Sequence, residues 1–153
     1  MNNLFDHATA QAHVWVKDMM SELGTNEPQK ALRALRAGLQ ALRDRMSVEE
    51  AVQLSAQLPL LIRGIFFEGW VTKGKPLRIR HKDEFLDLLL EKYGPDKHAI
   101  DGATAHAAEI IQALFQVLNR HVSQGEVTNI MMTLPEELAT LVAGRSGDED
   151  DDS

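Results

Sequence analysis

Four residues between positions 98 and 109 have the chemistry to hold a metal ion: His98, Asp101, His106 and Glu109. Imidazole nitrogens and carboxylate oxygens are common zinc and iron donors. Di-metal helical bundles set Glu-x-x-His motifs on helices that face further Glu residues. Here the order is reversed, with His106 preceding Glu109, and none of the six His residues forms an HExxH pair. The spacing reads instead as the polar start of a helix with Asp101 as its N-cap, and no metal site is assigned. Nucleophilic chemistry has no better candidate. Ser21, Ser47, Ser55, Ser123 and Ser146 lie in no GxSxG elbow. No glycine-rich turn of the P-loop or GxGxxG type is present to cradle phosphate. The chain has no Cys, which removes thiolate ligands, thiol nucleophiles and disulfides. We assign no catalytic residue and no cofactor, and the reading leans against an enzyme.

Positive charge is the remaining chemical signal, and it occurs twice. The stretch TKGKPLRIRHK, residues 72 to 82, holds five of the sixteen Lys and Arg: Lys73, Lys75, Arg78, Arg80 and Lys82. A second group, Arg33, Arg36 and Arg43, falls within roughly 80° on a helix turning about 100° per residue. Leu32, Leu35, Leu39, Leu42 and Met46 occupy another face of that helix. Were the two groups to adjoin, they would face an anion, and nucleic acid is one such anion. Against that partner, Trp70 is the only aromatic residue near the linker, so base stacking has little to use. A solvated helix face and a soluble linker explain the same charges without a ligand.

The elements that must position these residues follow a repeat. SVEEAVQLSAQLP (47 to 59) and SQGEVTNIMMTLP (123 to 135) align without a gap at an offset of 76. Ser47 and Ser123 read as N-caps, with Glu50 and Glu126 completing capping boxes three residues on. Pro59 and Pro135 mark the next helix start. At the same offset Leu35, Leu39, Leu42 and Met46 map onto Ile111, Phe115, Leu118 and Val122, all at helical steps. WVKDMMSELG matches FLDLLLEKYG at an offset of 70, and Gly24 and Gly94 read as the C′ glycines that end those helices. The second copy carries six extra residues around PDKHAIDG. The expectation is an all-α fold of about eight helices, a tandem repeat of two four-helix units in one compact domain. The helices fall at roughly 4–23, 28–46, 48–57 and 59–70, then 83–93, 102–122, 124–133 and 135–143. Repeat one spans about 4–70, a linker 71–82, and repeat two about 83–143, inside a domain of residues 1–147. Leu77 and Ile79 make a short extended link at most.

The fourth helix, PLLIRGIFFEGW, is apolar almost all round, where its counterpart PEELATLVAG carries Glu136 and Glu137. Such a helix is expected at the centre of a fold. The competing expectation is a contact surface formed by Phe66, Phe67 and Trp70.

Composition bounds the rest. The chain is 44% hydrophobic and 25% charged, ordinary for a globular protein. Of the net charge of -7, five acids sit in the terminal GDEDDDS, and without them the body is at about -2. A like-charge block at a terminus is expected to be disordered, so residues 148–153 read as an acidic tail. It could fold back on the linker and compete with an acidic partner. The opening MNNLFDHATAQAHVW has no basic or apolar signal region. The longest uncharged stretch, Ala51 to Ile62, is too short and polar to cross a membrane. The expected location is the cytoplasm.

FFEGW, then GKPLRIRHKDEFL, then the closing GEVTNIMMTLPEELATL resemble the bacterial family catalogued as domain of unknown function 2267. The resemblance covers about residues 4 to 143 and leaves out the acidic tail. It implies an all-helical bacterial cytosolic protein and carries over no catalytic residue. The expected role is non-catalytic, through contacts with a protein partner or with a second copy as a homodimer. The alternative is anion or nucleic-acid binding by Arg33, Arg36, Arg43 and the linker cations, and no membrane partner is expected.

Overall fold

The computed structural model describes residues 3–94 and 103–151. Within them the chain is all-α, with eight helices and no strand. Their order is α1 (Asn3–Leu23), α2 (Pro28–Asp44), α3 (Val48–Ser55), α4 (Leu60–Phe67), α5 (Lys82–Tyr93), α6 (Ala103–His121), α7 (Gln124–Thr133) and α8 (Glu136–Asp151).

Local chemistry sets most of the ends. Gly24, at φ 69, closes α1. Its N–H donates to Ser21 O and that of Thr25 to Met20 O, the paired bonds of a Schellman turn. Pro28 opens α2 at a position whose N–H has no helical partner anyway. Ser47 completes the capping box expected of it: Glu50 N donates to Ser47 Oγ at 3.1 Å, and Ser47 N donates to Glu50 Oε1 at 2.8 Å. Ser123 caps α7 differently from the expectation. Its Oγ accepts from Glu126 N, but its own N–H donates to Gln57 Oε1 at 2.7 Å, not to Glu126. Gln57 arrives from the α3–α4 turn and takes the acceptor role, while the Glu126 side chain turns inward and is buried.

The centre is built by α2 and α6. From Ala31 to Asp44 most of α2 is buried, and α6 buries Ala107, Ile110, Ile111, Leu114, Val117 and Leu118. The two pack where Gly38 lets them approach, since a Cβ there would stand 2.8 Å from Leu114 Cδ2. Around this pair, α1 packs on α2, α4 and α6, and α5 packs on α2, α6 and α8, while α4 lies on α2 and α8 on α6. Trp15 from α1 is buried and stacks on His121 at 5.1 Å between centroids. Arg120 and His121 then pair with Glu22 and Asp18 of α1.

The central position expected for α4 goes to α2 instead. With eight residues, α4 buries Ile62 and Phe66 and leaves Leu60 and Leu61 54% and 44% exposed. A two-turn helix at the edge, resting mainly on α1 and α2, buries the side that faces them and leaves the other outside.

Candidate functional site

The three helix arginines turn out to have partners inside the protein. Arg33 donates from Nε and Nη2 to Tyr93 O at 3.2 and 2.8 Å, and its guanidinium lies 4.5 Å from the Tyr93 ring centroid. Arg36 pairs with Glu68, and both remain about half exposed. Arg43 is 1% exposed. Its Nε and Nη2 bind Asp44 Oδ1, and its Nη1 donates to Phe66 O and Glu68 O. Lys92 of α5 closes the other side of Asp44 at 2.8 Å. Between the two arginines, Gln40 Nε2 donates to Ile65 O at 3.0 Å. Arg36, Gln40 and Arg43 thus line one face of α2; Gln40 and Arg43 satisfy carbonyls at the C-terminal end of α4, which has no basic residue in its last turn, and Arg36 holds the Glu68 side chain beside them.

Phe66, Phe67 and Trp70 divide in the same way. Phe66 is fully buried, and Phe67 is half-buried against it in an edge contact. Trp70 stacks on Phe67 at 5.4 Å, with its Nε1 buried and without a hydrogen-bond partner. These rings spend their faces on each other just before the linker begins.

The linker keeps its charge outward. It is held to the body by its backbone: Leu77 N donates to Asp44 O at 2.8 Å, Arg45 Nη1 donates to Leu77 O at 3.2 Å, and Ile79 is buried. Alternation then leaves Lys73, Arg78, Arg80 and Lys82 exposed, with Lys75 partly covered. Arg78 and Arg80 line an open groove of about 470 Å³ with Arg45, Thr133, Leu134 and Glu136. Arg45 is partly buried there, its Nη groups on Leu77 O and Thr133 O and its Nε without an acceptor. Among the described residues none of these six side chains is in an ion pair, although Lys82 lies close enough to Glu137 for its charge to act on that carboxylate. Three guanidinium groups therefore line an open groove with one acid, Glu136. Sequence reasoning missed Arg45 because it lies outside both basic groups, and its neighbours across the groove are remote in the chain.

Next to Glu136 in the chain, Glu137 ties the start of α8 to the start of α5. It accepts from Lys82 N at 3.0 Å, capping α5, and meets His81 Nδ1 at 3.4 Å. These bonds, the Lys82 N–H first and His81 next, hold its carboxyl below the usual Glu range.

Two smaller features lie elsewhere. Glu126 is pushed up by burial, opposed by its bond to Asn129 and reinforced by the Glu50 charge, and both acids line a cavity of about 20 Å³. A more apolar groove of about 390 Å³ opens between α6, α7 and α8, lined by Phe115, Val127, Met131 and Val142. Of the metal candidates, His98 and Asp101 lie outside the described residues. His106 stands edge-on to Tyr93 with its Nε2 buried and unpartnered, and burial lowers its pKa. Glu109 is exposed. Among the described residues no three His, Asp or Glu side chains converge as a metal site would need, and no helix is long and apolar enough to cross a membrane.

No curated protein matches the chain. The family described as "Uncharacterized conserved protein (DUF2267)" matches residues 12–141, from the middle of α1 to α8 and through both the linker and the groove, and the chain belongs to that family.

Proposed function

We propose that this chain is a non-catalytic cytoplasmic contact module that recognises an acidic protein surface through the linker and the Arg45–Arg78–Arg80 groove. The observation that carries the reading is the excess positive charge of that groove: Arg78 and Arg80 on the backbone-anchored linker and Arg45 at the end of α2 stand against Glu136 alone, with Lys73 and Lys82 exposed nearby. Guanidinium forks suit carboxylate geometry. Anchoring by the Asp44–Leu77–Arg45 bonds reduces the entropy lost when a partner docks. The helix arginines are not part of this surface, because they hold α4 and the end of α5.

Protein is favoured over nucleic acid by the surroundings. Phe67 and Trp70 stack on each other and are each half-buried, which leaves little ring surface for a base. Glu136, Asp83 and Glu84 are exposed beside the cations and would repel a continuous phosphate backbone. The two-unit architecture belongs to the same reading. Exchanging α1 with α5, α2 with α6 and α4 with α8 carries the packing pairs onto one another, which supports a duplication.

The test is a salt titration of binding to a labelled poly-glutamate peptide and to single- and double-stranded DNA. Peptide binding that weakens with salt and is lost in Arg78→Ser/Arg80→Ser is the expected result. Tight DNA binding with a steep salt slope would favour the nucleic-acid alternative, and no binding to either probe would end the proposal.

A further inference from the structure

We infer that the first occupant of the cationic groove is a second copy of this chain, whose acidic end docks there in a two-fold dimer. The inference rests on the groove reading above and adds the partner. Charge complementarity starts the argument. The sequence gathers Asp148, Glu149, Asp150, Asp151 and Asp152 at one end of the chain, and the groove offers Arg45, Arg78 and Arg80 against Glu136 alone.

Geometry then decides whose tail arrives. α8 begins at the groove, since Glu136 lines it, and the backbone stays helical to Asp151. Fifteen steps of a helix extend about 22 Å, so the acidic end is carried away from its own groove. Folding the tail back on its own linker would require unwinding α8. A second chain has no such obstacle. When two α8 helices lie antiparallel, the end of each reaches the start of the other whatever their length, and one operation makes both contacts. The arrangement closes on itself and needs no further copies. The outer face of α8 is suited to close approach, with Thr140 and Ala143 exposed and Gly144 and Gly147 following in the sequence. Single exposed ion pairs are weak, but two clusters engaged at once act with a high effective concentration.

The experiment is sedimentation velocity on the full chain, on a chain ending at Gly147, and on Arg78→Ser/Arg80→Ser. The full chain should dimerise at about 20 mM salt and revert to monomer at about 300 mM, where screening shortens the reach of charge. Each variant should weaken dimerisation by about tenfold or more, as loss of a two-point contact requires. Mixing the two variants should recover a heterodimer, because one intact tail meets one intact groove. A full chain that stays monomeric at low salt, or a truncated chain that still dimerises, overturns the proposal. The two readings separate cleanly: poly-glutamate binding by a monomeric truncated chain leaves the groove reading standing, and its absence removes both.

Discussion

Gly38 and Leu114 face each other at the crossing of the two central helices, with Leu114 Cδ2 only 2.8 Å from where a Gly38 Cβ would stand. At the offset of 76 that aligns the capping serines, Gly38 and Leu114 are the same position. Under the proposed duplication, a unit folded against its copy would place one position opposite itself at the crossing, where two large side chains cannot share the space. The pairing of glycine with leucine at this aligned position meets that demand. Gly38→Leu should therefore overpack the crossing and cost about 2–3 kcal/mol. Adding Leu114→Ala should recover a good part of it, read as coupling in urea denaturation of the four-member cycle.

Arg43 tests whether the helix stripe is structural. Removing its side chain leaves the buried Asp44 carboxylate with Lys92 alone and strands the carbonyls of Phe66 and Glu68. Arg43→Ala should cost about 3–5 kcal/mol, the loss typical of one partner of a buried pair. Arg43→Lys should not rescue it, because an ammonium cannot reach three acceptors in one plane. Poly-glutamate affinity measured on the residual folded protein should not change.

Two acids predict opposite responses to pH. Burial raises the Glu126 pKa above its ordinary 4.5, so the folded state is penalised once pH rises through that raised value. Glu126→Gln should raise Tm at neutral pH, with the gain vanishing as pH falls to about 4. Glu137 is the reverse case. Its lowered pKa contributes stability above 4.5 that is lost on acidification, so Glu137→Gln should lower Tm at neutral pH and converge with the parent in acid. Parallel responses from the two variants would contradict this assignment.

The apolar groove between α6, α7 and α8 has an explanation in residue size. At the offset of 76, Val142 stands where the first half has the fully buried Phe66, and Asn119 where it has Arg43. Val142→Phe should fill the groove and raise stability by about 0.5–1 kcal/mol, as cavity-filling changes commonly do. A drop in Tm would show that the wall cannot accept a ring.

Helix ends were legible because their causes are local. Ser47, Ser123, Gly24 and Pro28 act on neighbours within a few residues, so the observed ends of α1, α2, α3 and α7 fall close to those expected. The extended stretch around Leu77 and Ile79 was legible for the same reason, since alternation of inward and outward side chains is a local pattern. Depth in the fold was not. PLLIRGIFFEGW looked central by composition, yet its place depends on what lies beside it, and α2 with its small Ala31, Ala34, Ala37 and Gly38 fits between more neighbours. Arg43 sat with Arg33 and Arg36 on a polar face, and nothing within ten residues announced Phe66 O or Glu68 O as partners. Gln57 and Arg45 were missed for that same reason: each acts on a segment more than thirty positions away.

The small-residue crossing of α2 and α6 has a consequence for the chain as a covalent object. Each helix supplies half of one dry interior, so a protease cutting the exposed bond after Lys73 would release two pieces, each with a large greasy surface uncovered. Neither piece should hold its native shape in isolation. Mixed together, they should find one another and rebuild the uncut structure, which makes the nicked protein a ready source of split fragments.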